Sequence, residues 1–304
     1  MSSFELHILG CGSALPTRRH LPSAQLLVAG GKQFLIDCGE GTQLQFRHTH
    51  LNFNKTQAIF ISHLHGDHCF GLIGLISTMG LLGRHAPLYI YAPKELEGLM
   101  RPQLDFYCQE LTYEVHFVAF DPTKHSCIYT DRTLEVFTIP LRHRIPCAGF
   151  LFRERPKDRH ILKEWLDTYK VPLRAIPALK AGEDFVTPDG LCIPNSTLTT
   201  APSPPLSYAY VSDTAYNPSI LPIIQGVDLL YHEATFANDE ADKAVSTFHS
   251  TAEQAGLIAQ AASVKKLLIG HYSARYTDET CLLNEAKLHF EAVFLAHEGL
   301  RLEI

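Results

Sequence analysis

No stretch of this 304-residue chain approaches the roughly 20 consecutive apolar residues that cross a bilayer, so no membrane is expected. The nearest, FGLIGLISTMGLLG at 70–83, reads instead as a buried helix. The opening MSSFELHILG lacks the basic and long apolar regions of a secretory leader. No C-x-x-C occurs among the eight cysteines, which are scattered over positions 11, 38, 69, 108, 127, 147, 192 and 281. A disulfide framework is therefore not expected, and reduced thiols in a cytoplasmic protein are. Charged residues make up only 19% against 46% hydrophobic, which supports a full core and excludes extended disorder. The net charge of −6 gives no global sign of a polyanionic partner. No internal repeat is visible.

Histidine, by contrast, is abundant, with 17 residues, and it is the commonest metal ligand among side chains. Positive charge is local. Residues 151–180 hold eight Lys or Arg against four Asp or Glu, a net of +4 on an acidic chain. From charge alone this segment reads either as a solvated helix face or as a surface for a polyanion.

The pattern along the chain alternates strands and helices, as in an α/β sheet protein. FELHILG reads as a strand, AQLLVA-GG-KQFLID as a hairpin turning at Gly30-Gly31, and QAIFIS as a buried strand. APLYIYAP, EVHFVAF, LEVFTIPLRHR, YAYVSDT, VDLLYHEAT and VKKLLIGHYS continue the strands. STAEQAGLIAQAAS (250–263) is a helix, with Ser250 and Glu253 spaced as a capping box. Between 152 and 205 the character changes: prolines are frequent, the only tryptophan is here, and one short helical stretch, ILKEWLDTYK, stands out. This segment is expected to be an inserted arm without a core of its own.

The chemistry concentrates in SHLHGDH at 62–68, directly after an apolar strand. His63 and His65, two residues apart, can share a face. Asp67 and His68 lie one bend further on and suit a second ion. Two ions need more than four ligands, so the loop requires partners elsewhere. His143, Asp213 and His271 each follow a predicted strand, where open α/β sheets gather their ligands.

Together, LGCGSALPT, FLIDCGEGTQLQ, SHLHGDHCFGLIGLI, LRHRIPCAGF, YVSDTAY, DLLYHEATF, HSTAEQA and IGHYSARY resemble the ribonuclease Z family, endonucleases of precursor tRNA 3′ ends within the metallo-β-lactamase superfamily. The resemblance implies a single αββα domain over 1–304, two mixed sheets with outer helices, and a projecting exosite arm at 152–205. It implies two zinc ions per subunit, with manganese or iron as alternatives. His63, His65 and His143 would hold one ion, Asp67, His68 and His271 the other, with Asp213 between them. Asp67 would also take a proton from the attacking water. Asp37 would orient a ligand histidine, His249 would serve as general acid, and Glu233 would hold His249. His232 is expected to be structural. The arm would grip tRNA through Arg153, Arg155, Lys157, Arg159, Lys170, Arg174 and Lys180, in a cytoplasmic homodimer. The alternative on the same fold is a hydrolase of a small phosphodiester, lactone or sulfate ester. The chain departs from the family pattern at VPLRAIPALKAGEDF, where a Gly-Pro-rich signature is usual, and at PTRRHLPSAQ.

Overall fold

The computed structural model describes residues 4–304. Two seven-stranded sheets are built by the segments up to Arg153 and from Leu206 onward. The first runs in the order Arg301–Glu303, Phe4–Gly10, Ala24–Ala29, Lys32–Ile36, Thr56–Phe60, Leu88–Pro93 and Val115–Phe120. Its first three pairings are antiparallel and its last three parallel. The second runs Val293–Leu295, Lys266–Gly270, Leu229–Glu233, Ser207–Val211, Ala148–Glu154, Leu134–Pro140 and Cys127–Thr130. Its first three pairings are parallel, and it turns antiparallel where Ser207–Val211 meets Ala148–Glu154.

Side-chain alternation explains the layering. Leu6 and Ile8, Phe34 and Ile36, and Ala58 and Phe60 face the second sheet, where they meet Phe150, Phe152, Tyr210 and Tyr231. Their neighbours Leu9, Leu35, Ile59 and Ile61 face the other way, under helices Leu72–Leu81 and Glu95–Tyr107. A strand buried on both faces must be apolar throughout, which is why QAIFI reads as a continuous run. Helices Ala252–Ala261 and Thr280–Lys287 cover the second sheet through Ala255, Ile258, Leu282 and Ala286. The result is an αββα sandwich. The hairpin turns at Gly30 and Gly31, whose φ values of 58° and 78° suit a primed turn.

Two expectations are corrected. The capping box of helix Ala252–Ala261 is formed by Thr251 and Gln254, one residue beyond Ser250. Both S-x-x-E and T-x-x-Q fit the sequence rule, but the Ser250 hydroxyl is already used, donating to the Thr214 carbonyl at 2.6 Å. The segment Glu154–Pro205 is a compact unit, and it does build a small core. Leu179, Phe185, Ile193 and Leu198 are buried there, with Ile161, Leu166 and Tyr169 packed around them. Short helices that start at or beside Pro172, Pro177 and Pro194 bring these residues together without any long periodic stretch.

Candidate active site

Strand ends set up the site. Asp37 follows Lys32–Ile36, His63 to His68 follow Thr56–Phe60, Asp213 follows Ser207–Val211, and His271 follows Lys266–Gly270. These are the parallel members of the two sheets, so their C-terminal ends open on one edge. His143 lies three residues beyond Leu134–Pro140.

The side chains converge as two sets. In the first, His63 Nε2 is 2.9 Å from His65 Nδ1, and His143 Nε2 is 3.2 Å from the same atom. Asp213 Oδ2 completes it at 3.6 Å from His63 Nε2 and 3.7 Å from His143 Nε2. In the second, Asp213 Oδ1 is 3.3 Å from His68 Nε2 and 3.0 Å from His271 Nε2. Asp67 Oδ2 lies 3.4 Å from His68 Nε2 and 3.9 Å from His271 Nε2. One carboxylate thus presents one oxygen to each set. Ligands about 2.0–2.1 Å from a tetrahedral ion sit roughly 3.3 Å apart, close to these spacings.

Hydrogen bonds behind the rings fix the protons. Asp37 only accepts, so His68 Nδ1–H donates to its Oδ2 at 2.7 Å. Ser62 donates its hydroxyl to Asp37 at 2.9 Å and therefore accepts from His63 Nδ1–H at 3.0 Å. Thr235 donates to Glu233 at 2.5 Å and accepts from His271 Nδ1–H at 3.0 Å. His143 Nδ1–H donates to the Phe248 carbonyl at 3.1 Å. In these four rings the proton sits outside and the Nε2 lone pair points inward, the tautomer a metal requires. His68 Nε2 and His271 Nε2 are fully buried and make no hydrogen bond. A buried nitrogen without a partner carries a desolvation penalty. A cation held by the second set would remove it, so the residues present fit divalent ions.

Electrostatics agree for the first set, whereas in the second burial lowers His68 but the carboxylates of Asp213, Asp37 and Asp67 raise it well above the imidazole range. Burial holds His63, His65 and His143 below the ordinary imidazole range, so they are neutral ligands. Against its own burial, Asp213 is held well below the carboxylate range by His271, His68 and His63. Asp67, also against burial, is lowered by His68 and His271, and its Oδ2 accepts the Ala14 amide at 2.9 Å.

His249 stands beside the cluster, its ring 5.2 Å from that of His143 and 5.4 Å from that of His271. Its Nδ1 is 3.0 Å from Glu233 Oε1. Burial pulls its pKa down, but the Glu233 carboxylate overrides this and raises it to about 9. Glu233 is itself buried and accepts from the Thr214 amide, the Ser250 amide and the Thr235 hydroxyl. His232 points away into the core and bonds the Glu233 carbonyl at 2.7 Å.

Backbone strain marks the same place. Ala14, Asp37, Asp213, Phe248 and His271 all have φ between 56° and 62°, a region that side chains rarely adopt. Ser62, Tyr210, Thr214 and Thr235 hold the clustered side chains by hydrogen bonds and are not among the residues singled out from the sequence. Each lies inside a motif quoted above, Ser62 in SHLHGDH, Tyr210 and Thr214 in YVSDTAY, and Thr235 in DLLYHEATF, beside a residue assigned there or close to one.

A cleft of about 560 Å³ opens over the cluster, lined by Leu15, Glu40, His65, Asp67, Phe70, His143, Arg144, Asp213 and His249 among others. A larger apolar cavity of about 660 Å³, between Leu64, Pro93, Phe120 and Ile145, contains none of the clustered side chains.

The expected tRNA-gripping cations divide. Arg153 belongs to the sheet, with its guanidinium 5.2 Å over the Phe137 ring. Lys157 pairs with Glu154 at 2.9 Å, and Arg159 donates to Thr199 at 2.7 Å. Arg155, Lys170, Arg174 and Lys180 are exposed. No described helix is long and apolar enough to cross a membrane.

Residues 4–154 match a family model described as Anti-Pycsar protein Apyc1. Over their whole lengths, the chain is 56% identical to the ribonuclease Z of Parabacteroides distasonis. Ribonuclease Z of Bacteroides thetaiotaomicron is 55% identical over all of this chain and 96% of its own. The crystal structure of human tRNase Z, short form, superposes with a TM-score of 0.70 at 24% identity, covering 99% of each chain.

Proposed function

The chain belongs to the ribonuclease Z family and is an endoribonuclease of tRNA 3′ processing; we propose that the His–Asp cluster is its two-ion catalytic centre. The observation that carries this reading is the Asp213 carboxylate, with one oxygen facing each histidine set. His63, His65 and His143 would hold one ion, and Asp67, His68 and His271 the other. Zinc suits this imidazole-rich set, and manganese or iron fit the same donors. Bound there, the ions supply electrophilic activation of a phosphate and a water acidified toward neutrality.

The chain's own groups do the rest. Asp67, held by the Ala14 amide, is placed to accept the proton of the attacking water. Glu233 keeps His249 charged and fixes Nδ1, which leaves Nε2 to protonate the departing 3′ oxygen of the tRNA. The tRNA keeps a 3′ hydroxyl, and the trailer keeps the phosphate. The exposed cations of the 154–205 unit contact tRNA phosphates, which position the substrate without reading its sequence. We assign the working form to a homodimer, one subunit gripping while the other cuts.

The test is to incubate the zinc-loaded protein with one precursor tRNA and map the new 3′ end. The product should end in a 3′ hydroxyl. His65→Ala should abolish the reaction. His249→Ala should slow it on the order of 10²- to 10⁴-fold and leave the bound metal per chain unchanged. Undiminished cleavage by His65→Ala overturns the assignment.

A further inference from the structure

Two large apolar side chains stand open in the cleft, Phe70 with 67% of its surface exposed and Leu15 with 65%. Burying a phenylalanine stabilises a fold, so this fold forgoes that stabilisation beside its own catalytic cluster. Phe70 comes three residues after Asp67, at the end of the short turn Gly66–Cys69, and its amide donates to the Gly66 carbonyl at 2.8 Å. One face of its ring lies against Gly66. A Cβ on that glycine would sit 2.2 Å from the Phe70 Cε2, so only glycine lets the ring lie down there. The ring is therefore fixed on one side and bare on the other. Arg144, exposed and directly after His143 in the chain, lines the same cleft and offers a cation.

We propose that Phe70 is a base-stacking platform, against which lies the base of a nucleotide flanking the scissile phosphate. The proposal rests on the cleft being the RNA-cleaving site. A single-stranded base needs an aromatic face, and a fixed ring loses little freedom when covered. Every base has such a face, so the platform sets where the strand lies without choosing which base follows. Leu15 adds apolar contact from the same cleft, and Arg144 faces the adjoining phosphate.

The test compares wild type and Phe70→Ala on an intact precursor tRNA and on two versions abasic at one or the other nucleotide beside the cut. Stacking of about 1–3 kcal/mol per base predicts that Phe70→Ala loses roughly 5- to 150-fold in kcat/KM on the intact substrate. One abasic substrate should impose a similar loss on wild type. On that substrate Phe70→Ala should be no worse than wild type by more than about 2-fold, because the partner is already gone. Phe70→Tyr should keep activity, and Phe70→Leu, which preserves an apolar contact on Gly66 but has no ring face, should lose it. Equal activity of Phe70→Ala and wild type on the intact substrate overturns the platform. So does an undiminished loss on both abasic substrates, or a Phe70→Leu variant as active as Phe70→Tyr. If wild type cleaves no precursor tRNA at all, the underlying assignment fails, and not the platform alone.

Discussion

Asp37 accepts four hydrogen bonds at once: from the Ser62 amide, the Ser62 hydroxyl, the Tyr210 hydroxyl and His68 Nδ1. Asparagine has nearly the same shape but turns one acceptor into a donor that faces other donors. Asp37→Asn should therefore leave the fold intact and release the His68 ring. Metal affinity should fall about 10- to 100-fold, read by competition with a chromogenic chelator. Unchanged affinity would mean that His68 is held by packing alone. At this scale the sequence was legible where ligands cluster within a few positions, as in SHLHGDH. It was silent on what Thr235, Tyr210 and the Phe248 carbonyl do, because each contributes one atom to a ring or carboxylate in a distant segment. Strain is equally invisible: nothing in the letters says that Asp213 or His271 adopts a positive φ.

Among the elements, the loop from Cys11 to Pro22 shows how a distant contact reaches the site. Its Ala14 amide bonds Asp67, and its far end is clamped by His20. His20 Nε2 lies 3.1 Å from Glu279, and Nδ1 lies 3.0 Å from Glu298. Carboxylates on both nitrogens demand a doubly protonated ring. Burial opposes that charge, but Glu298 and Glu279 raise the His20 pKa above its ordinary 6.5. Glu298, against burial, is lowered below its ordinary 4.5 by His20 and the Leu21 amide. A raised histidine gives stability that is whole below about 6.5 and fades as pH climbs through the folded value. A lowered glutamate gives stability that is whole above about 4.5 and fades as pH falls through the folded value. The clamp is thus strongest between those limits. The Tm difference between wild type and His20→Gln should peak near pH 5–6 and shrink toward alkaline pH. A difference independent of pH would show that the clamp is not ionic. Elements differ in how well sequence announces them. The hairpin and the buried strands are plain in the letters, whereas helix Glu95–Tyr107 is not, because Pro102 breaks its pattern.

Over the whole molecule, the residues of the proposed centre come from both halves of the sandwich. His63, His65, Asp67 and His68 extend from the first sheet, and His143, Asp213 and His271 from the second. Strand-end positions made this legible before any coordinates, since parallel strands gather their C-terminal ends. The arm was the reverse: its boundaries showed in composition, but its small core did not, because contacts among short helices leave no period. Ions bound at the proposed centre would hold the two sheets together, and an unfolded chain scatters the same ligands. Binding at 100 times Kd adds about 2.7 kcal/mol to folding stability, so chelation should lower Tm on the order of 5 °C. Calorimetry of the metal-free and metal-loaded protein would check this, and equal Tm values would contradict it. The consequence reaches beyond catalysis. Metal supply becomes part of the folding equilibrium, and the inactive form is also the less stable one. A protease that cuts opened chains would remove metal-free molecules first, which leaves a population enriched in working enzyme.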